Sequence, residues 1–277
     1  MHIKSLSLLA VATLSVLPAK AAHSASDKGS NYQNPWGPAN PQFKTNTGFA
    51  SWVFEQWNPP TQSPAKTPFF IDTARGAWGI NVPADILGMQ GYDAAWISFT
   101  GDGYLHGGQT FTTTVLFTVP GPYLATQTPT EGIDFVAQSA TVPSRYLGFG
   151  HQVVGIYLGP SPTGPTFYLA VHPILSDENP GVFRPIDALT RLISAANTAN
   201  NPLKVRVSYT QLPQGHWVVF LVTTVGPRVF TSILTSVQYG PTWNKAPAEG
   251  IGAVRYFTSQ GGVTPGGPLE WTDMWLR

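Results

Sequence analysis

EGIDFVAQSATVPSRYLGFG, residues 131–150, is the stretch that decides the fold class. Its first half alternates apolar and polar residues with a period of two, so that Ile133 and Phe135 fall on one face of an extended strand. Asp134 and Gln138 fall on the opposite face. Its second half contains a proline and two glycines and is typical of a loop. The stretch predicts a β-strand with one core face and one polar face, followed by a loop.

The same period of two recurs along the chain, in runs separated by Pro, Gly and Asn turn signals. These runs include AAWISFT (94–100), QTFTTTVLFTV (109–119), QVVGIYLG (152–159), TFYLAVHPI (166–174), LKVRVSYT (203–210), HWVVFLVTT (216–224), RVFTSILTSV (228–237), IGAVRYFTS (251–259) and LEWTDMWLR (269–277). Many strands without a repeating period predict an all-β protein with two antiparallel sheets in a jelly-roll sandwich. One segment, 184–201, has apolar residues at helical spacing and predicts a short inserted helix that covers one end of the sandwich.

The N-terminus has the pattern of a secretory signal peptide. Lys4 is followed by the apolar run LSLLAVATLSVL (6–17) and by the small residues of Ala19-Lys20-Ala21. This run is shorter than the roughly 20 residues that a membrane span needs. We therefore expect cleavage near Ala21 and export to a secreted or periplasmic location. The chain divides into a signal peptide (1–21), a polar N-terminal arm that is extended or partly disordered (22–48), and a sandwich domain (49–277).

The composition narrows the classes of function. Charged residues are 10% of the chain and the formal net charge is +1, so nothing predicts a nucleic acid or an anionic membrane as partner. The absence of cysteine excludes disulfides, thiolate metal sites and a cysteine nucleophile. Aromatic residues, at 12%, outnumber charged ones, which is common in exported β-proteins that face carbohydrate.

Several motifs, in order, resemble the L-type (legume-type) lectins of the concanavalin A-like lectin/glucanase superfamily. EGIDFVAQ (131–138) is similar to the strand of that family with the form Asp-Gly-apolar-Ala-Phe-apolar-apolar-Gln, and YLGFG (146–150) to its Leu-Gly loop. QVVGIYLG (152–159) takes the place of its central strand. Residues 203–224, 251–262 and 269–276 resemble its hairpin and its last two strands. The resemblance implies a concanavalin A-like fold and carbohydrate as the partner.

The same resemblance predicts that no metal or other cofactor is bound. In the family, a Glu-Phe-Asp triplet of the central strand holds manganese and calcium, and alignment places Ile156-Tyr157-Leu158 there. Aliphatic side chains cannot coordinate hard cations, which need oxygen ligands. The resemblance matches Glu131 to the family's sugar-contacting acid. Arg145, where the family's loop has glycine, either pairs with an acidic sugar or is a solvated loop arginine.

Outward-facing residues of two strands are further candidates for a binding site. Asp134 and Gln138 lie on one strand, and Arg206 and Ser208 on another. If both strands belong to one concave sheet, these side chains form a polar floor; otherwise they belong to a solvated back sheet. Trp243, in the loop YGPTWNKAP, is the aromatic candidate for stacking on a sugar. Trp271 and Trp275 are predicted to pack. Trp217 could bind or pack, and its alternation with Val219 and Leu221 favours the core.

The sequence thus predicts a secreted, metal-independent, lectin-like protein that binds a glycan or an extracellular polysaccharide. A first alternative is a polysaccharide lyase or glycoside hydrolase using the same groove, although the Glu-x-Asp-x-x-Glu strand of the superfamily's glucanases is absent. A second is a structural or adhesive exported domain. A third is an enzyme like the glutamic peptidases, with Gln109 and Glu270 as candidate catalytic residues.

Overall fold

The computed structural model describes residues 24–42, 44–45, 47–57, 68–81, 90–98, 108–118, 131–138, 151–161, 163–172, 182–193, 202–239, 250–258 and 268–277. The predicted signal peptide lies outside these residues. Within them, no helix is long and apolar enough to cross a membrane.

Fifteen strands and two short helices make up the described regular structure. The strands are β1 (Ala25–Asp27), β2 (Val53–Trp57), β3 (Phe69–Asp72), β4 (Ala77–Ile80), β5 (Gln90–Ser98), β6 (Thr110–Phe117), β7 (Glu131–Gln138), β8 (His151–Ser161), β9 (Gly164–His172), β10 (Val182–Pro185), β11 (Leu203–Gln211), β12 (Trp217–Val225), β13 (Arg228–Thr235), β14 (Gly250–Thr258) and β15 (Leu269–Leu276). The helices are α1 (Asp187–Thr190) and α2 (Ser236–Tyr239).

The strands form two antiparallel sheets, which confirms the predicted fold class. The 8-stranded sheet has the order β13-β12-β11-β6-β15-β4-β3, with β1 also paired to β15. The 7-stranded sheet has the order β10-β9-β8-β7-β14-β5-β2. Six of the thirteen described pairings join consecutive strands, and the other seven join strands distant in sequence, as expected of a sandwich whose strands cross between layers.

The core lies between the two sheets. Val205, Val207 and Tyr209 from the 8-stranded sheet and Ile156 and Leu158 from the 7-stranded sheet belong to one buried cluster. Their neighbours along each strand face outward, because successive side chains of a strand alternate between its two faces. Apolar burial between the layers stabilises the fold by about 25 cal/mol per Å² removed from water.

Within the predicted N-terminal arm, the described residues 24–42, 44–45 and 47–48 pack against the sandwich. Asn34 bonds both backbone groups of Ile71 on the edge strand β3: its side-chain amide donates to the carbonyl at 2.9 Å and its Oδ1 accepts from the N–H at 2.8 Å. Trp36 is buried in the core, 5.3 Å from Trp52 and 6.0 Å from Trp271 between ring centroids. The segment covers a sheet edge that would otherwise expose unpaired backbone groups.

A buried carboxylate fixes the start of this segment. Asp27, at the end of β1, accepts hydrogen bonds from the Tyr32 hydroxyl at 2.6 Å and the Asn31 side-chain amide at 2.9 Å. Burial and the neighbouring Asp27 carboxylate raise the pKa of Tyr32 well above its ordinary value. The polar residues that suggested disorder therefore satisfy one another.

The predicted helix over 184–201 is shorter than its apolar spacing suggested. The chain stays extended through β10, since Arg184 pairs with Leu169 of β9, and α1 spans only Asp187–Thr190. The spacing nevertheless predicted correctly which side chains of this segment are buried: Ile186, Leu189, Leu192 and Ile193. The helix contacts β9 and β13, which belong to different sheets, and so bridges the two layers at one side.

Candidate functional site

A β-bulge in β15 decides which side chains reach the outer face of the 8-stranded sheet. Trp271 faces the core, and regular alternation would place Trp275 on the same face. The pairing of β15 with β6 shifts between Trp271 and Met274, so that Met274 and Leu276 face inward instead. An extra residue in a strand inverts the alternation beyond it. The prediction that Trp275 packs in the core is therefore wrong: it lies half-buried on the outer face.

Trp275 begins a row of side chains that crosses the sheet. Backbone pairing places it opposite Thr112 of β6, which lies opposite Ser208 of β11. Ser208 lies opposite Phe220 of β12, and Phe220 opposite Ile233 of β13. We call these five residues the cross-strand row. With strands about 4.8 Å apart, its two aromatic residues are about 14 Å from each other.

Hydroxyl groups occupy the centre of this face. Thr112 and Ser208 share a hydrogen bond of 3.0 Å between their side-chain oxygens, and Thr110 and Thr210, one pair further along, share one of 2.8 Å. A hydroxyl has one donor and two acceptor positions, so each pair keeps capacity for a further partner. Thr112 is only 8% exposed, whereas Thr110, Ser208 and Thr210 are half-buried, so a ligand on this face meets the hydroxyls of these three residues.

Arg206 lies on the same face, over Trp275. Its guanidinium carbon is 5.4 Å from the centroid of the Trp275 ring, a cation–π distance. The Arg206 side chain is exposed. Arg206 pairs with Thr114 of β6 and Val222 of β12, two residues along β11 from Ser208 of the cross-strand row. The contact holds the guanidinium near the row while its donors stay accessible to solvent.

The predicted polar floor is divided between the two sheets. Asp134 and Gln138 lie on β7 in the 7-stranded sheet, whereas Arg206 and Ser208 lie on β11 in the 8-stranded sheet. The condition for a shared floor, that both strands belong to one sheet, is therefore not met. Alternation along a strand shows which face a residue takes, but not which of two sheets the strand joins.

The remaining candidates are placed only in part. The backbone of β7 pairs Glu131 with Leu158 and Gln138 with His151 of β8. Arg145 and Trp243 lie outside the described residues. The roles of Glu131, Asp134, Gln138, Arg145 and Trp243 in binding stay predictions.

The strand matched to the family's metal-binding strand has no carboxylate on either face. β8 pairs with β7 as the motif order suggests, and Ile156 and Leu158 face the core. Gly155, Tyr157 and Gly159 alternate with them on the opposite face of the strand, and these residues are buried as well. Within the described part of the chain, no group of three or more His, Cys, Asp or Glu is arranged to hold a metal ion.

The register of β7 against β8 is fixed by a glycine under an aromatic ring, which gives a first prediction. A Cβ added at Gly132 would lie 2.6 Å from Cγ and Cδ1 of the buried Tyr157. We expect G132A to lower the free energy of unfolding by about 1–3 kcal/mol, because a packed ring must move. Urea unfolding of G132A, Y157L and the double mutant checks this. If the losses of unfolding free energy in G132A and Y157L add up to the loss in the double mutant, the Tyr157 ring does not cover Gly132.

A second cluster on the outer face is an acid pair beneath an arginine. Arg75 Nη1 lies 3.0 Å from Asp72 Oδ2 and 3.1 Å from Glu270 Oε2. Burial, with help from the Asp72 carboxylate, raises the pKa of Glu270 to about 7, although Arg75 opposes this. Burial acts to raise the pKa of Asp72 as well, but the backbone N–H groups of Arg75 and Ala74 and the hydrogen bond with Glu270 lower it overall.

This acid pair does not have the access that catalysis needs. Two carboxyl groups with pKa values driven apart are a common arrangement in glycosidases. Glu270, however, is only 1% exposed, so a glycosidic oxygen cannot reach its proton in this conformation. The pair is therefore better explained as a structural contact. The protonated carboxyl of Glu270 on β15 interacts there with Asp72 and Arg75 of the β3–β4 hairpin.

The pairing expected of a glutamic peptidase is also wrong. Glu270 pairs with Leu116 near one end of β6, whereas Gln109 precedes the other end of that strand. Seven residues of extended chain separate the two positions by about 23 Å. A Gln and a Glu this far apart cannot act on one peptide bond.

Comparisons with known proteins give similarity of fold at low sequence identity. No family model and no curated protein matches the chain. Similar solved structures include arcelin-5, a lectin-like defence protein from Phaseolus vulgaris, at 11% identity, covering 92% of this chain and 99% of that one with a TM-score of 0.46. The winged bean acidic lectin complexed with methyl-α-D-galactose matches at 10% identity, 91% and 97% coverage and a TM-score of 0.46.

An alginate lyase from a Chlorella virus is a further similar structure. It matches at 10% identity, covering 72% of this chain and 88% of that chain, with a TM-score of 0.40. The fold class itself is established by the strand order of this chain.

Proposed function

We propose that the protein is an exported, metal-independent carbohydrate-binding protein whose ligand lies on the outer face of the 8-stranded sheet. The observation that carries this proposal is the cross-strand row, in which a hydroxyl pair lies between Trp275 and Phe220 and Arg206 flanks the tryptophan. The lectin-like motifs of the sequence support the same class of ligand.

The chemistry of the row suits a sugar chain. A pyranose has apolar C–H faces and a rim of hydroxyl groups, so it needs flat apolar surface next to both donors and acceptors. An aromatic ring supplies the first, and the threonine and serine hydroxyls and the guanidinium supply the second. Because the groups lie on a paired sheet, little conformational entropy is lost when they bind.

A second prediction tests the row directly. We expect wild-type protein to bind members of a glycan array and a polysaccharide pull-down panel equally well in calcium and in EDTA. W275A should bind about 10- to 100-fold more weakly, since it removes the apolar surface of a whole aromatic side chain. S208A combined with T112V should weaken binding about 10-fold by removing the central hydroxyls.

R184Q is the matched control, because Arg184 is exposed on β10 of the other sheet. Its binding should equal that of wild type, and thermal melts of all variants exclude unfolding. No binding above background in either condition would contradict the proposal. Full binding by W275A would show instead that the sugar is held elsewhere, for which D134A and Q138A on β7 are the next variants.

A further inference from the structure

Strands β11, β12 and β13 carry positive charge and no negative charge. No Asp or Glu occurs between Asp187 and Glu249, a range that contains all three strands. Lys204, Arg206 and Arg228 are exposed on them. The whole chain is nearly neutral, with 15 basic and 14 acidic residues. Because the charges are separated along the chain, this part of the sheet has a positive potential.

Two of these cations, Lys204 and Arg206, lie beside the cross-strand row. Arg206 and Lys204 are two and four residues before Ser208 on β11, and residues at this spacing face the same side of a strand. Arg228 begins β13, in the β12–β13 hairpin. A ligand lying along the row therefore has two basic side chains along one flank.

The acidic residues of this sheet are confined to its other half. Glu270 and Asp273 lie on β15, Asp72 lies on β3, and the buried Asp27 lies on β1. Glu270 lies across β6 from Lys204, because both residues pair with Leu116. Asp72 and Glu270 are both bound to Arg75, and Glu270 is buried. The positive flank on β11 is therefore not neutralised by a carboxylate of its own strand or of β12 and β13.

We propose that the ligand of the cross-strand row is an anionic polysaccharide, bound with its carboxylate or sulfate groups against Arg206 and Lys204. This inference rests on the proposed function and adds the class of sugar. A guanidinium presents a planar fork of donors that matches a carboxylate or a sulfate, and here the ring of Trp275 orients it.

An anionic lipid surface is the rival partner for a basic face with exposed apolar side chains. Val229 and Ile233 are 63% and 60% exposed on β13. The centre of the face nevertheless consists of the Thr112–Ser208 and Thr110–Thr210 hydroxyl pairs, which would be desolvated against acyl chains. Sugar hydroxyls can replace the water at these positions, so polysaccharide is the partner that the face fits.

The test compares polymers that differ only in charge. Polygalacturonate, alginate and hyaluronate are each paired with their carboxyl-reduced form, and a sulfated galactan with its desulfated form. We expect wild-type protein to bind at least one charged polymer about 10-fold more tightly than its neutral partner, with affinity falling as salt rises. R206Q and K204Q together should abolish that preference, while R184Q keeps it.

Each outcome decides the question. Preference for the carboxylate polymers or for the sulfated one identifies the source of the charge. Equal binding of charged and neutral polymers overturns this inference and leaves the proposed function standing, whereas no binding to any polymer overturns both. Stronger binding to vesicles containing 30% anionic lipid, lost in I233S, would overturn it in favour of a membrane.

Discussion

Replacing Trp36 with alanine is expected to lower the free energy of unfolding by about 3–5 kcal/mol, the usual cost of truncating a large aromatic residue in a core. Trp36 packs edge-on against Trp52, Phe54 and Phe69, at centroid distances of 5.3, 4.9 and 6.1 Å. Alanine would leave a cavity where the N-terminal segment meets both sheets. Chemical denaturation monitored by tryptophan fluorescence and circular dichroism measures the loss.

Trp275 provides the matched control for this experiment. W275A removes the same side chain from the outer face and should cost no more than about 1–2 kcal/mol, because the ring is already half-exposed. The two variants should therefore separate stability from binding, since W36A affects the first and W275A the second. A W36A protein that unfolds together with wild type would contradict the placement of Trp36 in the core.

The second large effect is a dependence of stability on pH through Glu270. Its pKa is raised from 4.5 to about 7 on folding, so the folded protein binds a proton that the unfolded chain releases. The stabilisation is present in full below about pH 4.5 and is lost as the pH rises through 7. Its full size is about 3 kcal/mol. Thermal or urea unfolding between pH 4.5 and 8 measures it.

E270Q removes this dependence because glutamine resembles the protonated acid. We expect E270Q to match wild type near pH 4.5 and to exceed its stability by about 3 kcal/mol at pH 8. Subtracting the two curves cancels the titrating groups that do not interact with Glu270, whereas Asp72 interacts with it directly. D187N, which alters an exposed carboxylate on α1, should leave the wild-type pH dependence in place. Parallel curves for wild type and E270Q would show that Glu270 is ionised in the folded protein.

Much of the fold follows from local pattern. The alternation in EGIDFVAQ and QVVGIYLG predicted two strands, and the structure pairs them with Ile133 opposite Ile156. The N-terminal segment could not be predicted in this way. Its composition is that of a loop, and its order depends on Trp36 and Asn34 meeting partners from elsewhere in the chain. Long-range packing of this kind leaves no periodic signal.

The candidate site was predicted in part. Alternation correctly placed Arg206 and Ser208 on an outer face. Whether they share a surface with Asp134 and Gln138 depends on which sheet β11 joins, and alternation does not show this. Trp275 was missed because of the bulge. A signal for it exists in LEWTDMWL: Leu269 and Trp271 share one phase of the alternation, Met274 and Leu276 the other, and two polar residues lie between them. An apolar pattern that changes phase within one strand indicates a bulge.

The strand order also has a consequence for the way the chain folds during synthesis. β14 lies between β5 and β7, and β15 between β4 and β6, so the two strands latest in the described sequence occupy the interior of the two sheets. A nascent chain can form hairpins such as β8–β9 and β12–β13 early, but each layer stays in two separate halves until these strands are released from the ribosome. Such non-local pairing makes folding slow. Closure of the sandwich is thus delayed until β14 and β15 have both been synthesised.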